Sequence, residues 1–115
     1  MSLTFETEEK AGNAVVLALV GSADLAAGEP LDRALAGVCG KRPSHVVLDL
    51  SELGYLASVC IGVIIRHQRA CNDRGAKLTL AAPSPLVDGA LRAAKLEKVL
   101  PIEPSVAAAL ASGHA

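Results

Sequence analysis

The chain predicts an α/β fold: a mostly parallel mixed sheet, an antiparallel hairpin strand at its amino end, and about four helices packed on the sheet. Three observations carry this. Short apolar runs of strand length recur at Ala14–Val20, Val46–Leu50 and Lys77–Ala81. Between them lie longer stretches whose apolar residues return every three or four positions, the period of a helix with one buried stripe. Gly, Pro, Ser and Asn punctuate the junctions.

From the amino end, Leu3 to Glu8 alternates apolar and polar side chains, as an edge or antiparallel strand does. Lys10-Ala-Gly-Asn13 supplies a turn, and Ala14–Val20 completes a hairpin. Asp24 is placed to cap the next helix. Because Pro30 lacks a backbone donor and crowds the preceding turn, the regular helix is expected from about Glu29, with Leu31, Leu35 and Val38 inward and Leu25–Gly28 as a loop or frayed turn.

Gly40–Ser44 is a loop. Val46–Leu50 is β-branched-rich and apolar throughout, which suits a strand buried on both faces. After Ser51-Glu52 and Gly54, Tyr55–Ser58 reads as the approach to a helix, with Ser58 as its cap. From Cys60, the residues Val63, Ile64, His67 and Cys71 fall on one stripe and Arg66, Arg69 and Asp73 fall opposite; Gly75 closes the helix. Lys77–Ala81 makes a further parallel strand. Pro83-Ser-Pro85 opens a helix to Ala94, with Leu86, Ala90 and Leu91 expected inward. Val99–Ile102 is expected as an edge strand because of Pro101, and Ser105–Ala111 as a last helix tailing off through His114.

The 115 residues suit a single domain over 1–115. Hydrophobic residues make up 51% of the chain, yet there is one Phe, one Tyr and no Trp, so the core must be aliphatic and base-stacking platforms are not expected. A net charge of −1 without a basic stripe argues against nucleic acid. No run reaches membrane-span length and the amino terminus lacks the order of a signal peptide, so neither membrane insertion nor export is expected and the cytoplasm is the default. The three cysteines form no metal motif. Cys60 and Cys71 stand about 16 Å apart along one helix, too far to bridge, and inert buried thiols are expected.

No phosphate loop, no metal site, no cofactor site and no Ser, His and acid set can be drawn. His67 reads as a hydrogen-bonded core histidine. Asp24, Asp49 and Glu52 fall near strand carboxyl ends, where open parallel sheets keep their binding sites; for Asp24 the alternative is a cap, and for Asp49 a solvated strand end.

Several strings in this order resemble the STAS domain, in particular the bacterial anti-sigma factor antagonists. They are Leu19-Val-Gly-Ser-Ala-Asp24, Val46-Val-Leu-Asp-Leu-Ser51, Ile61-Gly-Val-Ile-Ile-Arg66, Ala82-Pro-Ser-Pro85 and Leu96-Glu-Lys-Val-Leu100. The resemblance implies a non-enzymatic protein that binds an anti-sigma factor acting also as a switch-type serine kinase. In such proteins the loop before the main helix usually reads Asp-Ser-Ser/Thr-Gly, its second hydroxyl being the phosphate acceptor. Here Ala57, Ser58, Val59 and Cys60 match it, and the acceptor position is Val59, which has no oxygen.

Partner binding without phosphate control is the expectation, through Asp24, Ala57, Ser58, Val59, Cys60, Ile61 and Arg66. Ser58, one residue early, is the alternative phosphoacceptor, disfavoured here because a capping hydroxyl would be occupied. A second possibility is a cytoplasmic STAS subunit of a membrane lipid or anion transporter. A monomer or weak homodimer is expected.

Overall fold

The structure, a computed structural model, describes residues 2–112; the tail with His114 lies outside them. Strands β1 (Leu3–Lys10) and β2 (Ala14–Ala23) form the expected antiparallel hairpin, turning through Gly12 and Asn13 at positive φ. Next to β2 stands β3 (His45–Asp49), followed by β5 (Lys77–Ala81) and β6 (Ile102–Glu103), all in parallel. Short β4 (Leu53–Leu56) is an addition to the expected order. It pairs in parallel with the far half of β2, Gly21 to Ala23, across a register shift, so β3 and β4 share one side of the same long strand.

Four helices cover this sheet: α1 (Gly28–Cys39), α2 (Ser58–Asp73), α3 (Pro85–Ala93) and α4 (Val106–Ser112). Successive residues of a strand point to opposite faces. On one face Val15, Leu17, Leu19, Val46, Leu48, Leu78 and Leu80 meet Leu31 and Leu35 of α1, Ile61 and Ile64 of α2, and Val87 and Leu91 of α3. On the other, Val16, Val47 and Ala81 meet Ala109 of α4. Each fully buried leucine contributes on the order of 2 kcal/mol, so the first face dominates stability.

Leu25–Ala27 is a 3-10 turn, the frayed turn expected there, and α1 begins at Gly28, one residue before the expected start, with Pro30 in its first turn, where no helical donor is required. Three other local expectations change. Leu86 is 65% exposed, because a helix that turns Leu91 inward carries Val87, four residues earlier, in with it and Leu86 away. The last strand is shorter and later than Val99–Ile102: Val99 is exposed, and only Ile102 and Glu103 pair with β5. Finally, Ala57 and not Ser58 is the cap residue of α2.

Candidate functional site

Two chain crossings are stitched together at the carboxyl end of the sheet. Where β2 ends, the Asp24 carboxylate accepts a hydrogen bond from Ala26 N at 3.0 Å and so holds the 3-10 turn, its expected capping role. Where β4 ends, Ala57 N donates to Ala23 O at 2.8 Å, and the Cys60 thiol donates to Asp24 O at 3.5 Å. The start of α2 is thereby seated beside the Leu25 turn. The start of α1 is close by as well: a Cβ at Gly28 would make an ordinary van der Waals contact, 3.4 Å, with a Val59 methyl.

Exposure at this corner divides the expected contact residues. Ser58 is exposed, and Val59 stands 43% exposed in the first turn of α2. Ala57, Cys60 and Ile61 are buried, so these three support the corner from beneath instead of presenting a contact surface. Burial, with the Asp24 charge second, pushes the Cys60 thiol upward and keeps it neutral. Since α2 starts from Ala57 with no side-chain cap bond, the Ser58 hydroxyl is not occupied as a cap, and that reason against it as an acceptor falls.

Arg66 lies about 10 Å further along α2. Its Nη2 donates to Asp32 of α1 at 2.8 Å, and His67 Nε2 donates to the same carboxylate oxygen at 2.6 Å. That bond from His67, with the Arg66 charge in addition, holds the Asp32 carboxyl below its usual range. The pair of donors ties α1 to α2, and His67 is the hydrogen-bonded, largely buried histidine its stripe predicted. Asp49 is spoken for as well, accepting from Ser51 N at 3.0 Å to shape the turn after β3, while Glu52 is exposed.

Among the described residues, no group of three His, Cys, Asp or Glu side chains could hold a metal ion. A groove of about 550 Å³ lies away from the corner, between the hairpin and α1, where Phe5, Val15 and Val38 line it. At the corner itself, apolar side chains stand exposed. Leu25 is 81% exposed, and Tyr55 and Leu86 are also exposed where β4 and α3 reach the same end of the sheet. Sequence pattern did not mark these three as surface. An isolated large apolar residue beside turn-forming Gly, Asp or Pro was the available signal.

Relatives share this architecture. Over 82 residues the chain is 32% identical to a Mycobacterium tuberculosis protein described as a candidate anti-anti-sigma factor, covering 71% of this chain and 54% of that one; the chain thus spans about half the length of the curated relative. A Thermotoga maritima structure described as a candidate anti-sigma factor antagonist superposes with TM-score 0.89 at 17% identity, covering 96% of this chain and 95% of that one. An anti-sigma factor antagonist from Mycobacterium paratuberculosis gives TM-score 0.85 at 24% identity, covering 99% and 96%. The family profile described as "Mlab, STAS domain" matches residues 6–102, most of the strands and helices assembled above, and the chain belongs to that STAS family.

Proposed function

We propose that this domain is a non-catalytic anti-sigma factor antagonist that docks on an anti-sigma factor or switch-type kinase through Leu25, Ser58 and Val59, without phosphate control at Val59. One observation carries it: Val59 is exposed in the first turn of α2, which packs against the 3-10 turn that bears exposed Leu25, at the position where the resemblance to antagonists implies an acceptor hydroxyl. A phosphate there would bring nearly two negative charges to an apolar contact, and repulsion together with desolvation would release a partner. Valine keeps the contact apolar and cannot be charged. Asp24, its carboxylate used in the turn, and Arg66, tied to Asp32, edge the patch as fixed charges that orient a partner.

Phosphorylation of Ser58 is the second reading, favoured by its exposure and by the absence of a cap bond to its side chain. The test is purification of the tagged protein from its own cells, followed by incubation of the captured complex with ATP and mass spectrometry of the peptide containing residues 57–60. A captured kinase or anti-sigma factor with no phosphate on that peptide supports docking without control. Phosphate on Ser58 selects the second reading, and capture of a membrane transporter in place of a kinase selects a transporter subunit. No described helix is long and apolar enough to cross a membrane, so such a transporter would supply the membrane part.

A further inference from the structure

Helices α1 and α2 start together at the docking corner and run side by side in the same direction, since Gly28 meets Val59, Asp32 meets Arg66 and His67, and Cys39 meets Cys71. At their carboxyl ends, about 17 Å from the corner, the two sulfurs lie 3.9 Å apart. Each need move only about 1 Å to reach disulfide bonding distance. Cys39 is half-buried at the end of α1 and Cys71 is buried in the last turn of α2, while Cys60 sits apart in the core.

Arg74, one residue past α2, adds a second observation. Its Nη2 is buried without a hydrogen-bond partner. The Arg74 side chain stands within hydrogen-bonding reach of the Cys71 sulfur, and its spare donor would be met by a thiolate there. Helix carboxyl ends disfavour negative charge, so the stabilisation has to come from outside the helices. The hydrogen bond from Cys39, together with the Arg74 charge, holds the Cys71 thiol down to about 6, and the same shared proton pushes Cys39 upward. A nearby fixed cation also opposes capture of a metal cation between the sulfurs.

We propose that Cys39 and Cys71 are a thiol modification site that closes reversibly to an intramolecular disulfide on reaction with a small-molecule disulfide, with Arg74 positioning the Cys71 thiolate. Entry is at Cys39, the more exposed sulfur. The Cys39 thiol passes its proton to the neighbouring Cys71 thiolate and attacks one sulfur of the incoming disulfide, whose S–S bond breaks to expel a thiolate that then draws that proton from Cys71. The Cys71 thiolate then attacks the Cys39 sulfur, forming the internal S–S bond and expelling the second thiolate, which is protonated in turn. One cysteine thiol and one thiolate are oxidised and one disulfide is reduced to two thiols, with one proton taken up from solvent by the second leaving group. The closed bridge would staple the far ends of the two helices and enclose Ser58 and Val59 of the docking corner within the loop from Cys39 to Cys71. This inference does not depend on the identity of the partner.

Glutathione disulfide is the probe, applied to the folded wild-type protein, which is then unfolded, alkylated and analysed by mass spectrometry without reduction. Expected are a monomer about 2 Da lighter with one alkylatable thiol, and a peptide pair linking Cys39 to Cys71. Cys60→Ser should form the same link, Cys71→Ser should stop at glutathione on Cys39, and Arg74→Gln should slow ring closure by about tenfold. Three alkylatable thiols in the wild type, glutathione retained on Cys39, or a link between two chains would overturn the pair. Closure at the wild-type rate in Arg74→Gln would overturn the role given to Arg74.

Discussion

Val59 concentrates the functional claim in one side chain. Its neighbours Cys60 and Ile61, expected from the sequence to share the contact surface, are committed to the core, whereas Val59 is exposed in the first turn of α2. Val59→Asp should therefore weaken association with the captured partner by at least about tenfold, or about 1.4 kcal/mol, in calorimetry. A carboxylate in the first turn of a helix favours the helix dipole by roughly 0.5 kcal/mol, so the same variant should melt no lower than the wild type. That combination separates lost docking from lost folding, and unchanged affinity would remove Val59 from the interface. The corner was legible in the sequence because a strand feeding a helix leaves its loop at the sheet's carboxyl end. The exposure of Leu25 was not, because burial depends on how α1 leans against α2, and periodicity within either helix alone does not encode that.

Paired elements explain what sequence pattern resolved and what it missed. Helices α1 and α2 were legible from their stripes, but the Asp32 contacts that hold them in parallel join residues more than thirty positions apart. Asp32 has its carboxyl lowered in the folded chain, so its pairing contributes stability above the ordinary carboxylate range, and that contribution is lost as pH falls through the depressed value. Asp32→Asn should thus lower the melting temperature at pH 5, with the gap to wild type closing as pH drops below about 4. A gap that persisted in acid would point to packing, not charge. Strand β4 escaped notice because Leu53-Gly-Tyr-Leu56 is short and half exposed, and its partner is the shifted end of β2. Gly21 permits that shift at φ +112°, where a Cβ would collide with the Ser2 carbonyl oxygen. Gly21→Ala should cost about 2 kcal/mol or more in urea unfolding. A loss below half of that would mean that Ser2 yields freely.

At the scale of the molecule, the fold class was readable because parallel strands covered on both sides become continuous apolar runs. The same continuity hid which face carries the weight, since Val46, Val47 and Leu48 look alike in sequence and divide between two unequal cores. Three helices close one core, while seven-residue α4 closes the other through Ala109, with Ser105 Oγ accepting from Ala108 N and Lys77 Nζ donating to Ser112 O. Burying a charge against Val16, Val47 and Ala81 costs more than so short a helix recovers by packing, so Ala109→Glu should release α4. Amides of residues 109 and 110 should then lose hydrogen-exchange protection, while Leu48 and Ile64 keep most of theirs and partner affinity is unchanged, because α4 lies across the sheet from α2. Ile64→Ala, in contrast, should remove about 2–5 kcal/mol from the whole transition and lower protection everywhere. Equal loss at Leu48 and at position 109 in the Ala109→Glu protein would show instead that the two faces unfold as one cooperative unit, with α4 as much a part of the global transition as the helices that carry the docking corner.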